Sequence, residues 1–193
     1  MFYTTKYTSP AGVYTLASDG ISLIAVCLCG QKYFEHSIPK NSNCCGSAAD
    51  LDIFYKTKNW LDRYFAGEKP QISELPLAPI GSEFQQKVWA ILNEIPYGEL
   101  TTYGEIAKKI GIKSGQAVGG AVGHNPISII IPCHRVVGAN GNLTGYAGGL
   151  DVKIKLLELE GVDIRHCVVK KYNSSGSAAG DKYGNTSSFA FED

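Results

Sequence analysis

The chain has 193 residues, 44% hydrophobic and 19% charged, with 18 basic residues set against 18 acidic ones. That composition supports a buried core in one ordinary domain or two small ones, and excludes broad disorder. Zero formal net charge argues against a protein that lives on nonspecific attraction to phosphates, though it leaves room for a local basic face.

The opening "MFYTTKYTSP" has no apolar signal core, and no apolar run approaches the length of a membrane span. The expectation is a cytoplasmic protein, off the membrane, with reduced thiols. Its six cysteines are Cys27, Cys29, Cys44, Cys45, Cys133 and Cys167, and their spacings fit no common zinc template, so no metal is expected.

Residues 12–18 and 21–28 are β-rich and flank Asp19-Gly20, a hairpin signal. "QKYFEH", residues 31–36, reads as a third strand, and "NSNCCGSAAD", 41–50, as a loop. Residues 47–66 read as a helix, with Leu51, Phe54, Tyr55, Leu61, Tyr64 and Phe65 at helical spacing and Gly67 as its stop. "EKPQISELPLAPIG" carries three prolines and reads as a linker.

A second set of elements opens with Ser82-x-x-Gln85, a capping-box pattern. Phe84, Val88, Ile91, Leu92 and Ile95 trace one helix face, which Pro96 and Gly98 end. Thr102-x-x-Glu105 starts another helix, striped by Tyr103, Ile106, Ala107 and Ile110 and stopped by Gly111. The short turn that follows fits a helix-turn-helix pattern, and fits an ordinary helical hairpin equally well. The next segment, "SGQAVGGAVGHN", is glycine-rich and a poor helix by propensity. Either tight helix packing or close approach to a rigid ligand would account for those small residues.

Residues 136–149 hold five glycines and an Asn140-Gly141 pair, which fits a hairpin or wing-like loop. "LDVKIKLLELEG" reads as a closing helix, and the Ser/Gly-rich stretch from Lys170 as a peripheral tail. The expected class is therefore α/β. A small N-terminal α/β domain with an antiparallel sheet, residues 1–80 including the linker, precedes a mostly helical winged helix-turn-helix-type domain, 81–169, and a polar tail, 170–193.

The chemistry concentrates at "IIIPCHRVVG", residues 129–138. Cys133 follows an apolar run read as a strand, and a cysteine there is commonly an inert buried thiol. His134 and Arg135 beside it are able to lower its pKa. On a strand, however, adjacent side chains point apart, so contact between Cys133 and His134 needs a turn or a bridging water. Glu160 falls on the apolar stripe of the closing helix. It either reaches solvent at the helix end or pairs with His134 in a carboxylate–histidine–thiol relay.

"PCHRV", preceded by "GHNPISIII" and followed by "TGYAGGLDVKIKLLELEG", closely resembles the O6-alkylguanine-DNA alkyltransferase family. "TTYGEIA" and "AVGGAVGHNP" match as well, and the resemblance runs nearly without gaps from Phe84 to Gly161. "SPAGVYTLASDGISLIAV" resembles the family's N-terminal domain.

The resemblance implies single-use repair by a monomer without a cofactor. Its substrate would be double-stranded DNA containing O6-alkylguanine, with O4-alkylthymine as a further lesion. The alkyl group would move to Cys133, with His134 as base through a water, Glu160 behind that ring and Asn125 supporting the turn. Tyr103 would donate a hydrogen bond to the leaving guanine. Gln116, Ala117, Gly119, Gly120 and Val122 would face the minor groove. Tyr146, Ala147, the Val136 carbonyl and Lys153 would border the base pocket, and Arg135 would bridge the interior.

The family's usual arginine before "AVGGA" is Gln116 here, and Ser128 and Ala147 stand where some members have proline and serine. A lesion-binding relative without transfer, a thiol-based regulator and a cysteine hydrolase are the competing readings.

Overall fold

The computed structural model describes residues 1–32, 42–43, 51–172 and 178–181. Strands β1 (Phe2–Ser9), β2 (Gly12–Ser18), β3 (Leu23–Leu28) and the two-residue β4 (Ser42–Asn43) form one sheet in the order β3-β2-β1-β4. The first three pair antiparallel, and β4 lies parallel to β1. Asp19 closes the β2–β3 turn, its carboxylate accepting from the backbone N–H groups of Ile21 and Ser22 at 2.9 and 2.7 Å.

The sequence reading passed over β1, although Tyr3, Thr5 and Tyr7 alternate with Thr4, Lys6 and Thr8 as a strand requires. Gln31 and Lys32 belong to no strand, and residues 33–36 of the expected third strand lie outside the described residues. Most of the expected 41–50 loop and the expected start of the next helix, 47–50, lie outside them too.

Helix α1 (Asp52–Phe65) lays Ile53, Phe54, Trp60, Leu61 and Tyr64 into a core shared with Tyr7, Tyr14, Leu16, Leu23 and Val26 of the sheet. Tyr55, placed on that stripe by its spacing, instead faces solvent. The proline-rich connector is strapped to the sheet edge. Leu23 N–H donates to the Pro76 carbonyl at 2.8 Å, and Ala78 N–H to the Leu23 carbonyl at 2.9 Å. Its prolines suit an edge, where missing donors cost nothing in the ladder.

The C-terminal half holds α2 (Glu83–Leu92), α3 (Tyr103–Ile110), α4 (Gly115–Gly123) and α5 (Leu150–Leu159). Both capping boxes form as read: Ser82 exchanges bonds with Gln85, and Thr102 with Glu105. Gly111 ends α3 in the left-handed conformation that glycine adopts without a Cβ penalty.

The 136–149 region is a wing-like loop and not a hairpin. β6 (Val136–Val137) pairs parallel with β5 (Thr101–Thr102), and β7 (Asn142–Leu143) pairs with β8 (Val168–Tyr172). The Asn140-Gly141 turn exists, with both residues at positive φ, but the strands it separates belong to different sheets. Within the polar C-terminal stretch, β9 (Ala178–Asp181) pairs antiparallel with β8.

The two halves share one core. The β3 edge continues into the second half, with Val26 N–H donating to the Pro126 carbonyl at 2.8 Å and Ser128 N–H to the Val26 carbonyl at 2.9 Å. Among the described residues no helix is long and apolar enough to cross a membrane.

Candidate active site around Cys133

The apolar run 129–131 is not a strand but a buried turn. All three isoleucines are 1% exposed, so no alternation exists between an inner and an outer face. An apolar run this short does not distinguish a strand from a buried turn by its pattern. Ile129 sits at φ 70°, a strained position for a β-branched residue, and Ile131 N–H donates to the Ile127 carbonyl at 3.0 Å.

Asn125 pins the turn from inside. Its Nδ2 donates to the Ile131 carbonyl at 2.8 Å and the Ile127 carbonyl at 3.4 Å, and its Oδ1 accepts from Ile127 N–H at 3.0 Å. This network holds the non-regular backbone that leads to Cys133.

Residues Cys133–Arg135 form a single 3-10 turn after Pro132. That is the turn which two adjacent reactive side chains require. Cys133 is 5% exposed. Burial pushes its thiol pKa up, against the opposing pull of the Asn125 amide and the Lys153 charge. The resting group is therefore a thiol, and it needs a base before it can attack.

His134 is fully buried. Its Nε2 lies 2.7 Å from Glu160 Oε1, while its Nδ1 is buried with no hydrogen-bond partner among the described residues. Burial lowers the histidine pKa, and Glu160 opposes that shift. A neutral ring whose Nε2 faces a carboxylate carries its proton there, which leaves the Nδ1 lone pair as a proton acceptor.

Glu160 does not reach solvent at the helix end. It is 6% exposed and accepts from four neighbours. Arg135 donates twice, Nε to Oε2 at 2.8 Å and Nη2 to Oε1 at 2.9 Å. Tyr64 Oη donates to Oε1 at 2.8 Å, Gly98 N–H to Oε2 at 3.1 Å, and His134 Nε2 faces Oε1. Burial alone would raise the carboxyl pKa, but the bonds and charges of His134 and Arg135 hold it well below the usual carboxylate range. Gly98 has two reasons to be glycine: its φ is 79°, and a Cβ there would lie 2.9 Å from the Glu160 carbonyl. Arg135 also donates to the Ile95 carbonyl at 2.6 Å, so it bridges the interior as expected.

Lys153 is fully buried and donates to the carbonyls of Val136 at 2.6 Å and Thr144 at 3.1 Å. Its burial pulls its pKa down to about 8, against the pull of Cys133. Tyr103 stands at the start of α3, and Tyr146 lies in the 144–149 loop beside Ala147. Burial raises both phenol pKa values, and ionising Cys133 would raise each further.

Helix α4 divides cleanly. Val118, Ala121 and Val122 are buried, while Gln116, Ala117 and Gly120 are exposed. Val122, expected on the outward face, packs into the core at 6% exposure. A Cβ on Gly119 would meet the Tyr103 ring at an ordinary 3.8 Å, and one on Gly120 would meet nothing within 4 Å. Internal packing therefore does not demand glycine at either position. The sequence reading also missed Tyr14, a fully buried tyrosine of β2 whose hydroxyl has no partner among the described residues. Its place at a core position of the sheet left no signal of proximity to Cys133.

The family model described as "6-O-methylguanine DNA methyltransferase, DNA binding domain" matches residues 83–162, and its ribonuclease-like companion matches 2–79. A Haemophilus influenzae methylated-DNA–protein-cysteine methyltransferase is 46% identical over 159 residues, covering 82% of this chain and 86% of its own length. A relative of the same name from Methanosarcina acetivorans is 48% identical, covering 82% and 98%. A crystal structure of Mycobacterium tuberculosis OGT in complex with DNA aligns with TM-score 0.71 at 43% identity, covering 82% of this chain and 91% of that one. The chain belongs to the 6-O-methylguanine DNA methyltransferase family.

Proposed function

We propose that this protein reverses DNA alkylation by moving the alkyl group from O6 of guanine in duplex DNA irreversibly to Cys133. The observation that carries the reading is a buried thiol one residue from a histidine whose Nδ1 is unpartnered and whose Nε2 is held by Glu160.

In this mechanism His134 Nδ1 takes the thiol proton through a water, and Glu160 stabilises the imidazolium that results. The Cys133 thiolate attacks the alkyl carbon in line. The new S–C bond forms as the C–O bond breaks, and the electron pair passes to guanine O6. The Tyr103 hydroxyl donates a hydrogen bond to the base as negative charge develops there. The product is a thioether, so each molecule acts once. Lys153 lowers the cost of the thiolate and ties down the Val136 carbonyl at the pocket border, next to Tyr146 and Ala147.

The target base must leave the stack to reach so buried a sulfur. The outward residues of α4, Gln116, Ala117 and Gly120, let the helix lie close in the minor groove, with Gln116 entering the space left by the flipped base.

Intact-mass measurement tests the whole reading. After mixing with duplex DNA that contains O6-methylguanine, one methyl group is expected on the protein, mapped to Cys133, and none on Cys133→Ser. Binding of lesion DNA with no added mass would instead favour a lesion-recognition protein.

A further inference from the structure

We propose that Tyr64, from the N-terminal half, is a positioning residue of the acceptor site, setting through its bond to Glu160 how strongly that carboxylate holds a proton on His134. The inference rests on His134 acting as the base, and adds a residue from α1 to that machinery.

The geometry is specific. Tyr64 is 1% exposed, and its hydroxyl sits between two partners. It donates its single proton to Glu160 Oε1 at 2.8 Å, and its oxygen lies 3.4 Å from His134 Nε2. Burial and the neighbouring Glu160 charge both disfavour the phenolate, so the proton stays on the phenol. With that proton committed to the carboxylate, the phenol oxygen is an acceptor towards His134. Nε2 then faces two acceptors, Glu160 Oε1 and Tyr64 Oη, and no donor. Only the Nε2–H tautomer satisfies both. That tautomer places the lone pair on Nδ1, the nitrogen that has no partner among the described residues.

Ring contacts fix the hydroxyl in place. Tyr64 stacks on Trp60 at 5.7 Å and meets Phe65 and Tyr97 edge-on at 5.3 and 6.1 Å. The ionisable groups that act on His134 are Lys153 of α5, Glu160 capping that helix, the adjacent Arg135, and Tyr64 of α1.

Tyr64→Phe keeps the ring and removes the hydroxyl. Glu160 then loses a donor and exerts more of its charge on His134, which keeps its second proton to higher pH. The acid limb of the rate–pH profile for methyl transfer should move upward. The rate at neutral pH should fall about tenfold, a fraction of the 100-fold or more that a positioned general base supplies. Lesion-DNA affinity should not change.

In a His134→Asn background the same substitution should have no further effect on rate, since its route runs through the imidazole. Nitrogen NMR of the resting protein should show the Nε2–H tautomer of His134, and in Tyr64→Phe the same ring should hold its second proton to higher pH. A profile and rate within twofold of the parent, an equal loss in both backgrounds, or an unchanged His134 titration in Tyr64→Phe would each overturn the assignment. The NMR readout decides the matter even for a protein that transfers nothing, which is the separate failure of the functional reading.

Discussion

Lys153 Nζ lies 2.6 Å from the Val136 carbonyl, on a side chain with no solvent exposure. A cation in that position is there at a cost, and the cost is readable as a function of pH. Burial lowers its pKa from 10.5 to about 8. Below about 8 the lysine is protonated in both folded and unfolded chains, and the full cost is present. Between 8 and 10.5 the folded state has released its proton and the unfolded state has not, so stability rises with pH. At about 1.4 kcal/mol per pH unit over that window, this contribution is roughly 3 to 4 kcal/mol. Denaturant melts of the wild type and Lys153→Met across that window should show the wild type gaining on the variant. Methyl transfer by Lys153→Met should be slower, because the thiolate loses its nearby cation.

Glu160 behaves in the opposite sense. Its carboxyl pKa is depressed in the folded state, so its contribution is present above the usual carboxylate range and is lost as pH falls below it. Glu160→Gln leaves Arg135 a buried cation without its partner. The expected cost is about 3–5 kcal/mol near neutral pH, shrinking in acid. Urea unfolding at neutral and acidic pH tests both the size and the trend.

Gln116 occupies an exposed site in the first turn of α4, where the family's usual residue is arginine. Gln116→Arg should bind duplex DNA more tightly and repair O6-methylguanine faster. One added phosphate neutralised steepens the slope of log affinity against log salt by about 1. Unchanged affinity and rate would show that the glutamine costs nothing.

Gly120 separates stability from function. A Cβ there meets nothing, so Gly120→Ala should stabilise the fold by up to about 1 kcal/mol through helix propensity. The same methyl stands on the face proposed to meet DNA, so duplex affinity should fall. Calorimetric melting and a binding titration should move in opposite directions.

Asn125 makes three hydrogen bonds to the turn before Cys133. Asn125→Ala leaves the Ile127 N–H buried and unpaired, at a cost of about 1–3 kcal/mol, while the Ile127 and Ile131 carbonyls keep the bonds they accept from Ile131 N–H and Cys133 N–H. Both transfer and thermal stability should drop, and restoring temperature-matched stability should not restore the rate.

Local rules determined a good share of this protein. Two capping boxes placed the starts of α2 and α3, Asp19-Gly20 placed the β2–β3 turn, and Gly111 placed a helix end, because each depends on bonds within a few residues. The adjacency of Cys133 and His134 already demanded a turn. The ordered series of motifs was legible as a family resemblance from Phe84 to Gly161.

What the chain could not declare by itself was set by contacts between distant segments. The isoleucine run looked like a strand, and only burial on all sides together with the Asn125 bonds makes it a turn. Val122 seemed part of an outward face until the packing of α4 sent it inward. Glu160 had two open readings, and four neighbours drawn from three separate segments decided between them. Tyr64 read as one more apolar position on α1. Its hydroxyl matters only because the fold brings it within 2.8 Å of a carboxylate 96 residues away. Hydrophobic spacing selects which face of a helix is buried, but a hydrogen bond needs a partner at a stated distance, and tertiary packing alone supplies the partner.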